Sequence, residues 1–366
     1  MTKNSDINYI KKSLELAKLG LFTSDPNPRV GSLVVKENKI IGEGYHKRSG
    51  SPHAEIMALE QAREGATGAT LYVTLEPCCF KGKTNPCTKA IIQSGITKVV
   101  CSTEDPNPKV SGKGIKELRQ AGIRVELGIL ANKSKELNNG FFKRMLSDMP
   151  FVRSKLAISL DGKTALNNGI SQWISGNSSR LDVHRWRARS SAIMTGSSTI
   201  FADNPSLNAR LEDSVEINQP IRVILDSEVS ISDSAKCLSI PGDIIIFTNK
   251  KELKNISKKI RNRAQIEIVN GNHHCEINEV LNRLSELEVN EILVEAGSKL
   301  NGSLLELGLI DELIVYISPK IIGSIGVNMF ALPEIHDLSD RYNFSFTEIK
   351  NFDDDICLTL RREKDV

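Results

Sequence analysis

Hydrophobic positions fall into two kinds of run that alternate along the chain. Residues 6 to 19 carry apolar side chains at helical spacing and stop at Gly20, which predicts a first helix. Val30 to Val35 and Lys39 to Tyr45 read as the two strands of a hairpin. A helix is expected after Pro52. Strand-like runs at 69–75, 98–102 and 123–127 then alternate with helical stretches at 87–94 and 114–121, and a last helix is expected from about 131 to 146. This alternation predicts a layered α/β domain.

The run Ser147-Asp148-Met149-Pro150 breaks the pattern with polar residues and a proline, as domain boundaries do. It divides the chain into expected domains at 1–147 and 148–366. The second part mixes strands and helices again, with strands expected at 151–159, 192–195, 221–226, 243–248, 291–295, 312–318 and 357–361. A chain of 366 residues exceeds what one hydrophobic core usually serves, so two sites are sought.

The net charge of +3, with 40% hydrophobic and 25% charged residues, describes a folded soluble protein. So small an excess, spread over both halves, argues against a nucleic-acid partner and leaves room for a small anionic substrate. The N-terminal stretch lacks the apolar core of a signal peptide and no window approaches membrane-spanning length, which points to the cytoplasm. Seven cysteines make a disulfide framework a poor expectation and metal or catalytic use a better one.

Spacing singles out three places. Pro52-His53-Ala54-Glu55 lies at a helix start, Glu76-Pro77-Cys78 follows a strand, and Asn85-Pro86-Cys87 opens the next helix. One imidazole and two thiolates leave zinc a fourth position for water, as catalytic sites require. Cysteines that begin helices meet the positive end of the dipole, which favours the thiolate; both Cys78 and Cys87 are expected to sit so. Glu55 can take a proton from the metal-bound water and deliver it to the ring nitrogen and the departing ammonia. Each element alone also fits a buried histidine and inert core thiols, but in this order they match the zinc-deaminase signature. Cys78 is preferred to Cys79 because it directly follows the proline. Cys79, Cys101, Cys237, Cys275 and Cys357 read as ordinary thiols.

Eight residues separate the two cysteines, in Cys78-Cys-Phe-Lys-Gly-Lys-Thr-Asn-Pro-Cys87, where nucleoside and tRNA deaminases usually have two. This long loop resembles the bifunctional deaminase/reductase family of riboflavin biosynthesis. The resemblance extends through Asp25-Pro-Asn-Pro-Arg-Val-Gly31, Gly42-Glu-Gly-Tyr-His46, Asp105-Pro-Asn-Pro-Lys-Val110, Ser159-Leu-Asp-Gly-Lys-Thr164 and Ser171-Gln-Trp173, over essentially the whole chain. It implies a cytidine-deaminase-like three-layer domain followed by a dihydrofolate-reductase-like α/β domain. It further implies one Zn2+, NADPH, small phosphorylated pyrimidine substrates and a homo-oligomer. By position, Asn27 and His46 would line the pyrimidine pocket, and Lys83 and Asn107 would lie near its phosphate end. Phe80 stands where the family usually has a histidine, and Asn85 where proline is usual. A phenylalanine cannot donate a hydrogen bond, so one substrate contact differs. Two other readings remain beside this one: a nucleoside or tRNA-type deaminase with an unrelated appendage, and a non-catalytic zinc-stabilised nucleotide-binding protein.

No Gly-x-Gly-x-x-Gly follows a strand in the second part, so a Rossmann fingerprint is absent. The segment from Glu295 to Ser303 follows an apolar strand and opens a helix, so its N–H groups could hold a dinucleotide phosphate or simply form a turn. The resemblance implies cofactor contacts from Ala157, Trp173, Thr199, Asp203, Ser227, Gly297, Ser298, Lys299, Leu300, Asn301, Gly302 and Ser303. It implies substrate contacts from Ser171, Leu207, Arg210 and Glu295. Arg185, Arg187 and Arg189 are unranked candidates for the 2′-phosphate of NADPH, and Asp161 reads as a proton relay or a turn-former, the turn being preferred.

Overall fold

The computed structural model describes residues 3–253 and 256–363; the outer ends of the expected domains, 1–2 and 364–366, lie outside the described residues. The chain forms two compact units, Met1–Met149 with Glu216–Asn218, and Pro150–Val215 with Gln219–Val366.

The first unit runs α1 (Lys3–Lys18), β1 (Gly31–Lys36), β2 (Lys39–Tyr45), α2 (Ala54–Ala62), β3 (Thr70–Val73), α3 (Cys87–Gln93), β4 (Lys98–Cys101), α4 (Lys113–Gln120), β5 (Arg124–Leu127), α5 (Ala131–Leu137) and α6 (Asn139–Ser147). Its sheet has the order β2-β1-β3-β4-β5, antiparallel on the hairpin side and parallel from β3 to β5. Side chains alternate between the two faces of a strand, so one run of apolar residues feeds two cores. Val34, Leu71, Val73 and Val99 pack with Ala54 and Ala58 of α2, Ile91 of α3 and Leu118 of α4. Leu33, Val35, Tyr72 and Val100 pack with Ile10 and Leu14 of α1. The result is a three-layer α/β unit.

Two glycines of β2 let α2 lie directly on the sheet. A Cβ at Gly42 would stand 2.0 Å from the Ala58 carbonyl oxygen, and one at Gly44 would stand 2.2 Å from that of Ala54. The helix expected over 131–146 is broken into α5 and α6 at Asn138. The Asn138 carboxamide accepts from Arg29 N–H at 2.7 Å and donates to Arg29 C=O at 3.0 Å, tying the break to the loop before β1. A side chain that competes for backbone groups in this way ends a helix that periodicity alone would continue.

The second unit runs β6 (Phe151–Ser159), β7 (Lys163–Ala165), α7 (Asn177–Arg189), β8 (Ala192–Gly196), α8 (Ser197–Asp203), β9 (Ile221–Leu225), α9 (Lys236–Ser239), β10 (Ile244–Thr248), α10 (Lys258–Arg263), β11 (Gln265–Ile268), α11 (Ile277–Glu286), β12 (Glu291–Val294), α12 (Ser298–Glu306), β13 (Glu312–Ser318), β14 (Val327–Asn328), β15 (Phe344–Phe352) and β16 (Asp355–Arg362). Nine strands form one sheet, β11-β10-β9-β8-β12-β6-β13-β16-β15, and β14 pairs with β7 apart from it. The strands from β11 to β13 are parallel, and β16 and β15 close the sheet antiparallel. From β8 the chain winds outward through β9, β10 and β11, then returns to place β12 on the other side of β8. The crevice beyond the C-terminal ends of β8 and β12 is therefore the topological switch point, where open parallel sheets bind ligands.

The opposite ends of these strands are held by charge. Arg153 of β6, fully buried, donates to Glu291 at 2.7 Å and to Glu312 at 2.6 Å at the starts of β12 and β13. Arg189 and Arg361 complete the network on the same two carboxylates at 3.1 and 3.3 Å.

Candidate active sites

In the first unit, α2 begins at Ala54, which makes His53 the capping residue and places Glu55 in the first turn. Side chains that close to a helix end can share the space beyond it even two residues apart. Cys87 opens α3, as expected, but Cys78 does not begin a helix; it lies in the loop between β3 and α3. The Cys87 backbone N–H nonetheless donates to Cys78 Sγ at 3.4 Å, so the Cys78 sulfur also meets the N-terminal end of α3. That is the environment that favours a thiolate.

The three expected ligands converge. Nδ1 of His53 lies 3.2 Å from Cys87 Sγ and 3.5 Å from Cys78 Sγ, and all the ligand atoms fall within 4.8 Å of one another. A tetrahedral zinc, with bonds of about 2.0 Å to nitrogen and 2.3 Å to sulfur, sets such ligands about 3.5 Å apart. The donor set and its spacing therefore fit zinc. A hydrogen bond from the Cys87 thiol is the main cause that brings Cys78 down to about 4, while the same bond and burial push Cys87 up. Cys87 gives up its proton on metal binding, because only a thiolate ligates.

Glu55 is buried, and burial pushes its carboxyl up to about 7, a rise that Cys78 supports and His53 opposes. An acid poised there can hold or release a proton near neutral pH. His46 is buried with its ring 5.2 Å from that of His53, edge to face. Its Nε2 lies 3.0 Å from the Asn27 amide nitrogen, so the structure brings the two expected pocket residues together. Burial, helped by His53, lowers His46 to about 4 and keeps it neutral. Lys83 is exposed and donates to Ser49 at 3.1 Å. Asn107 caps its own loop, with its N–H on Asp105 at 2.8 Å and its side chain accepting from Lys109 N–H at 3.0 Å. Phe80 stands at the surface.

Sequence reasoning passed over two residues here. Thr84 Oγ1 lies 3.2 Å from Nε2 of His53, the nitrogen turned away from the sulfurs, and fixes the ring's orientation. Buried Glu76 accepts from the backbone N–H groups of Asp105, Gly112 and Ile115 at 3.2, 3.0 and 3.1 Å, which fixes the Asp105 loop beside the site. A glutamate directly before the Pro77-Cys78 pair was the available signal.

In the second unit Glu295, Thr199 and Ser227 lie past the C-terminal ends of the neighbouring strands β12, β8 and β9. Glu295 follows β12, and its N–H donates to Met194 of β8 at 3.0 Å. Its carboxylate takes two bonds from Arg187 at 2.5 and 2.9 Å. Burial works against its charge, but Arg187 outweighs it and holds Glu295 down to about 2. Gly297 caps α12 with open space at its Cα, whereas a Cβ at Gly302 would strike the Ala331 carbonyl at 2.1 Å. Asn301 is turned inward, accepting from Ser154 at 2.6 Å and donating to Ala296 C=O at 2.8 Å, so it shapes the segment from Glu295 to Ser303. Ser298, Lys299, Leu300 and Ser303 lie on α12 itself.

Thr199 lies on α8, which follows β8, and Ser227 lies just past β9 with its carbonyl held by Thr248 at 2.6 Å. Ser171 donates to Asp203 at 3.2 Å. Trp173 is 65% exposed, with the Arg180 guanidinium 4.5 Å from its ring. Ala157 lies on β6, Leu207 is buried, and Arg210 is exposed. Arg187 and Arg189 are engaged by Glu295 and Glu291, and Arg185 is exposed. Asp161 accepts from the distant Ile322 and Gly323 N–H groups at 3.1 and 2.7 Å, so it ties its turn to that loop. Three neighbouring parallel strand ends beside a switch point are a place where a dinucleotide and its substrate can bind.

Residues 150–358 match the RibD C-terminal domain, and residues 3–103 match the cytidine and deoxycytidylate deaminase zinc-binding region. The riboflavin biosynthesis protein RibD of Escherichia coli is 41% identical, covering 97% of this chain and 99% of its own. The chain belongs to the RibD family. The RibD of Aquifex aeolicus is also 41% identical, over 99% of this chain and 100% of its own. The structure of Acinetobacter baumannii RibD superposes with a TM-score of 0.92 at 38% identity, covering 99% of both chains. The Thermotoga maritima diaminohydroxyphosphoribosylaminopyrimidine deaminase/5-amino-6-(5-phosphoribosylamino)uracil reductase gives 0.88 at 36% identity, over 98% of this chain and 99% of that one. As a RibD protein, the chain is a bifunctional enzyme of riboflavin biosynthesis, with a cytidine-deaminase-like domain that uses zinc and a dihydrofolate-reductase-like α/β domain that uses NADPH. No helix among the described residues is long and apolar enough to cross a membrane.

Proposed function

We propose that the deaminase domain, 1–147, hydrolyses the amino group from 2,5-diamino-6-(5-phosphoribosylamino)pyrimidin-4-one, and that the reductase domain, 148–366, then reduces the ribosyl group to ribityl. The observation that carries this reading is the convergence of His53, Cys78 and Cys87 beside the buried carboxyl of Glu55. The name of the Thermotoga maritima relative supports both substrates.

His53, Cys78 and Cys87 would hold zinc, whose chemistry there would be to lower the pKa of a bound water so that, once deprotonated, it can add to the amidine carbon. Glu55 would take one proton from that water and pass it to the ring nitrogen, then take the second from the new hydroxyl and pass it to the departing amino group as the C–N bond breaks, a cycle that suits a carboxyl near 7. Asn27 and His46 hold the pyrimidine edge, and Lys83 and Asn107 face its phosphate end. Thr84 keeps the His53 ring in place. In the reductase, NADPH supplies the hydride. Ala157, Trp173, Thr199, Asp203, Ser227 and the segment from Gly297 through Ser298, Lys299, Leu300, Asn301 and Gly302 to Ser303 position the cofactor. Ser171, Leu207, Arg210 and Glu295 orient the sugar phosphate. The enzyme works in the cytoplasm as a homo-oligomer on small phosphorylated pyrimidines.

Ammonia release from the diaminopyrimidinone ribosyl phosphate, followed beside NADPH absorbance on zinc-quantified protein, tests the reading. Ammonia followed by NADPH loss supports both halves and their order. Ammonia alone removes the reductase assignment, and neither signal from zinc-loaded protein removes the catalytic reading.

A further inference from the structure

The first unit includes Glu216–Asn218, although the chain up to Val215 and from Gln219 onward belongs to the second. Neither spacing nor resemblance singled these residues out. Asn218 holds two successive carbonyls of one loop: its backbone N–H donates to Phe22 C=O at 2.9 Å, and its side-chain amide donates to Thr23 C=O at 2.8 Å. Glu216 meets a different loop. One of its carboxylate oxygens lies 3.2 Å from the Lys47 ammonium, and the other pairs with the Arg48 guanidinium.

These two loops carry Asn27 and His46. Thr23 Oγ1 donates to Lys47 C=O at 2.5 Å, which joins the loops at one point. A Cβ at Gly20 would stand 2.5 Å from the His46 carbonyl oxygen, so they also touch backbone to backbone. Asn27 N–H donates to Ser24 C=O at 3.0 Å, so a shift at Thr23 passes to Asn27 through a single turn, and His46 is bonded directly to Lys47. The 3.0 Å contact between the Asn27 amide and His46 Nε2 therefore depends on the register of the two loops. A hydrogen bond tolerates little change of distance or angle. The ion pairs of Glu216 are half exposed and hold weakly; the two bonds of Asn218 carry most of the grip.

We propose that Glu216–Asn218 form a positioning strap of the deaminase site, holding the Phe22–Asn27 and His46–Arg48 loops in register and so fixing the Asn27–His46 pair that receives the pyrimidine. The proposal rests on the reading above that Asn27 and His46 line the pyrimidine pocket. The strap touches no substrate and acts through those two residues.

Ammonia release by the full-length enzyme, measured against substrate concentration on zinc-quantified protein, tests this. Asn218→Ala is expected to raise the deaminase KM about three- to tenfold, the scale of one net hydrogen bond. Zinc content stays at the wild-type level. Asn218→Asp keeps the shape of the side chain but sets an acceptor against the Thr23 carbonyl, so it raises KM at least as far; a wild-type KM there overturns the strap. Asn27→Ala raises KM by itself, and Asn27→Ala/Asn218→Ala loses little more, because residues that act through one another are not additive. Losses that multiply overturn the positioning role, as does a wild-type KM in Asn218→Ala beside a raised one in Asn27→Ala. Zinc lost in step with activity in Asn218→Ala means a general loosening of the fold and overturns it too. Unchanged KM in both Asn27→Ala and His46→Ala overturns the reading of the pocket, and the strap's role with it.

Discussion

Cys87 Sγ lies 3.2 Å from Nδ1 of His53, although 34 residues separate them in the chain. The helix that begins at Cys87 and the helix that begins just after His53 present their N-terminal ends to one small volume, and Cys78 joins it from the intervening loop. Removing one of three ligands leaves a site that cannot hold zinc in this geometry. Cys87→Ser is therefore expected to lower bound zinc well below one per chain and to abolish ammonia release. NADPH oxidation with the deaminated substrate stays intact, because that chemistry resides in the other domain. Metal analysis and the two assays on one preparation check it; full zinc content in the variant would remove Cys87 from the ligand set.

Glu55 has no ligand role in this arrangement, so its loss should separate binding from turnover. Glu55→Gln keeps the size and removes the proton-carrying group. Ammonia release is expected to fall by a factor of about 10²–10⁴, the usual contribution of a positioned acid–base group. Zinc content should not change. Retained turnover would assign the proton transfers elsewhere. Cys79→Ser, next to a ligand but bonded to the Lys109 carbonyl, should behave as wild type in both measurements.

The zinc ligands and Glu55 were legible because each is a chemically rare residue at a strand or helix junction, where spacing alone constrains position. The parallel strands were legible as short apolar runs, since burial on both faces needs no alternation. β15 was not, because Phe344–Phe352 is an edge strand exposed along most of its length and its mixed sequence carries no period. β11 escaped because it is a short edge strand, and Gln-Ile-Glu-Ile alternates over only four residues. Thr84 and Glu76 were missed because their importance lies in which atom they touch, across distances that periodicity does not see. The break at Asn138 shows the same limit: both sides of it read as helix, and only the bonds to Arg29 explain the interruption.

Gly44 places the site by what it lacks. Its absent Cβ lets the Ala54 carbonyl, at the start of α2, come within 2.2 Å of where that carbon would be. Gly44→Ala must push α2 off the sheet at the end that carries His53 and Glu55. The expected cost is about 1–3 kcal/mol, typical of overpacking. A thermal unfolding midpoint several degrees lower, with zinc affinity reduced, checks this; an unchanged midpoint and affinity would mean the helix has slack that the contacts do not show.

Asp105 supplies a pH dependence whose sign runs against the common carboxylate case. Burial is the main cause that pushes its carboxyl up from 3.8 to about 7, with the Asn107 N–H opposing. The folded state therefore binds the proton more tightly than the unfolded chain does. Below about pH 4 both states are protonated and the group costs nothing. As pH rises toward 7 the unfolded chain ionises first and stability falls; above 7 the full cost of a buried carboxylate is present. Asparagine keeps an oxygen for the Asn107 N–H, 2.8 Å away, and never ionises. Asp105→Asn should thus unfold at a higher temperature than wild type at pH 8, with the gap closing as the pH is lowered toward 4. Unfolding midpoints of both proteins across that range check the sign, and a gap that widens toward acid would show that Asp105 is held as a carboxylate in the fold.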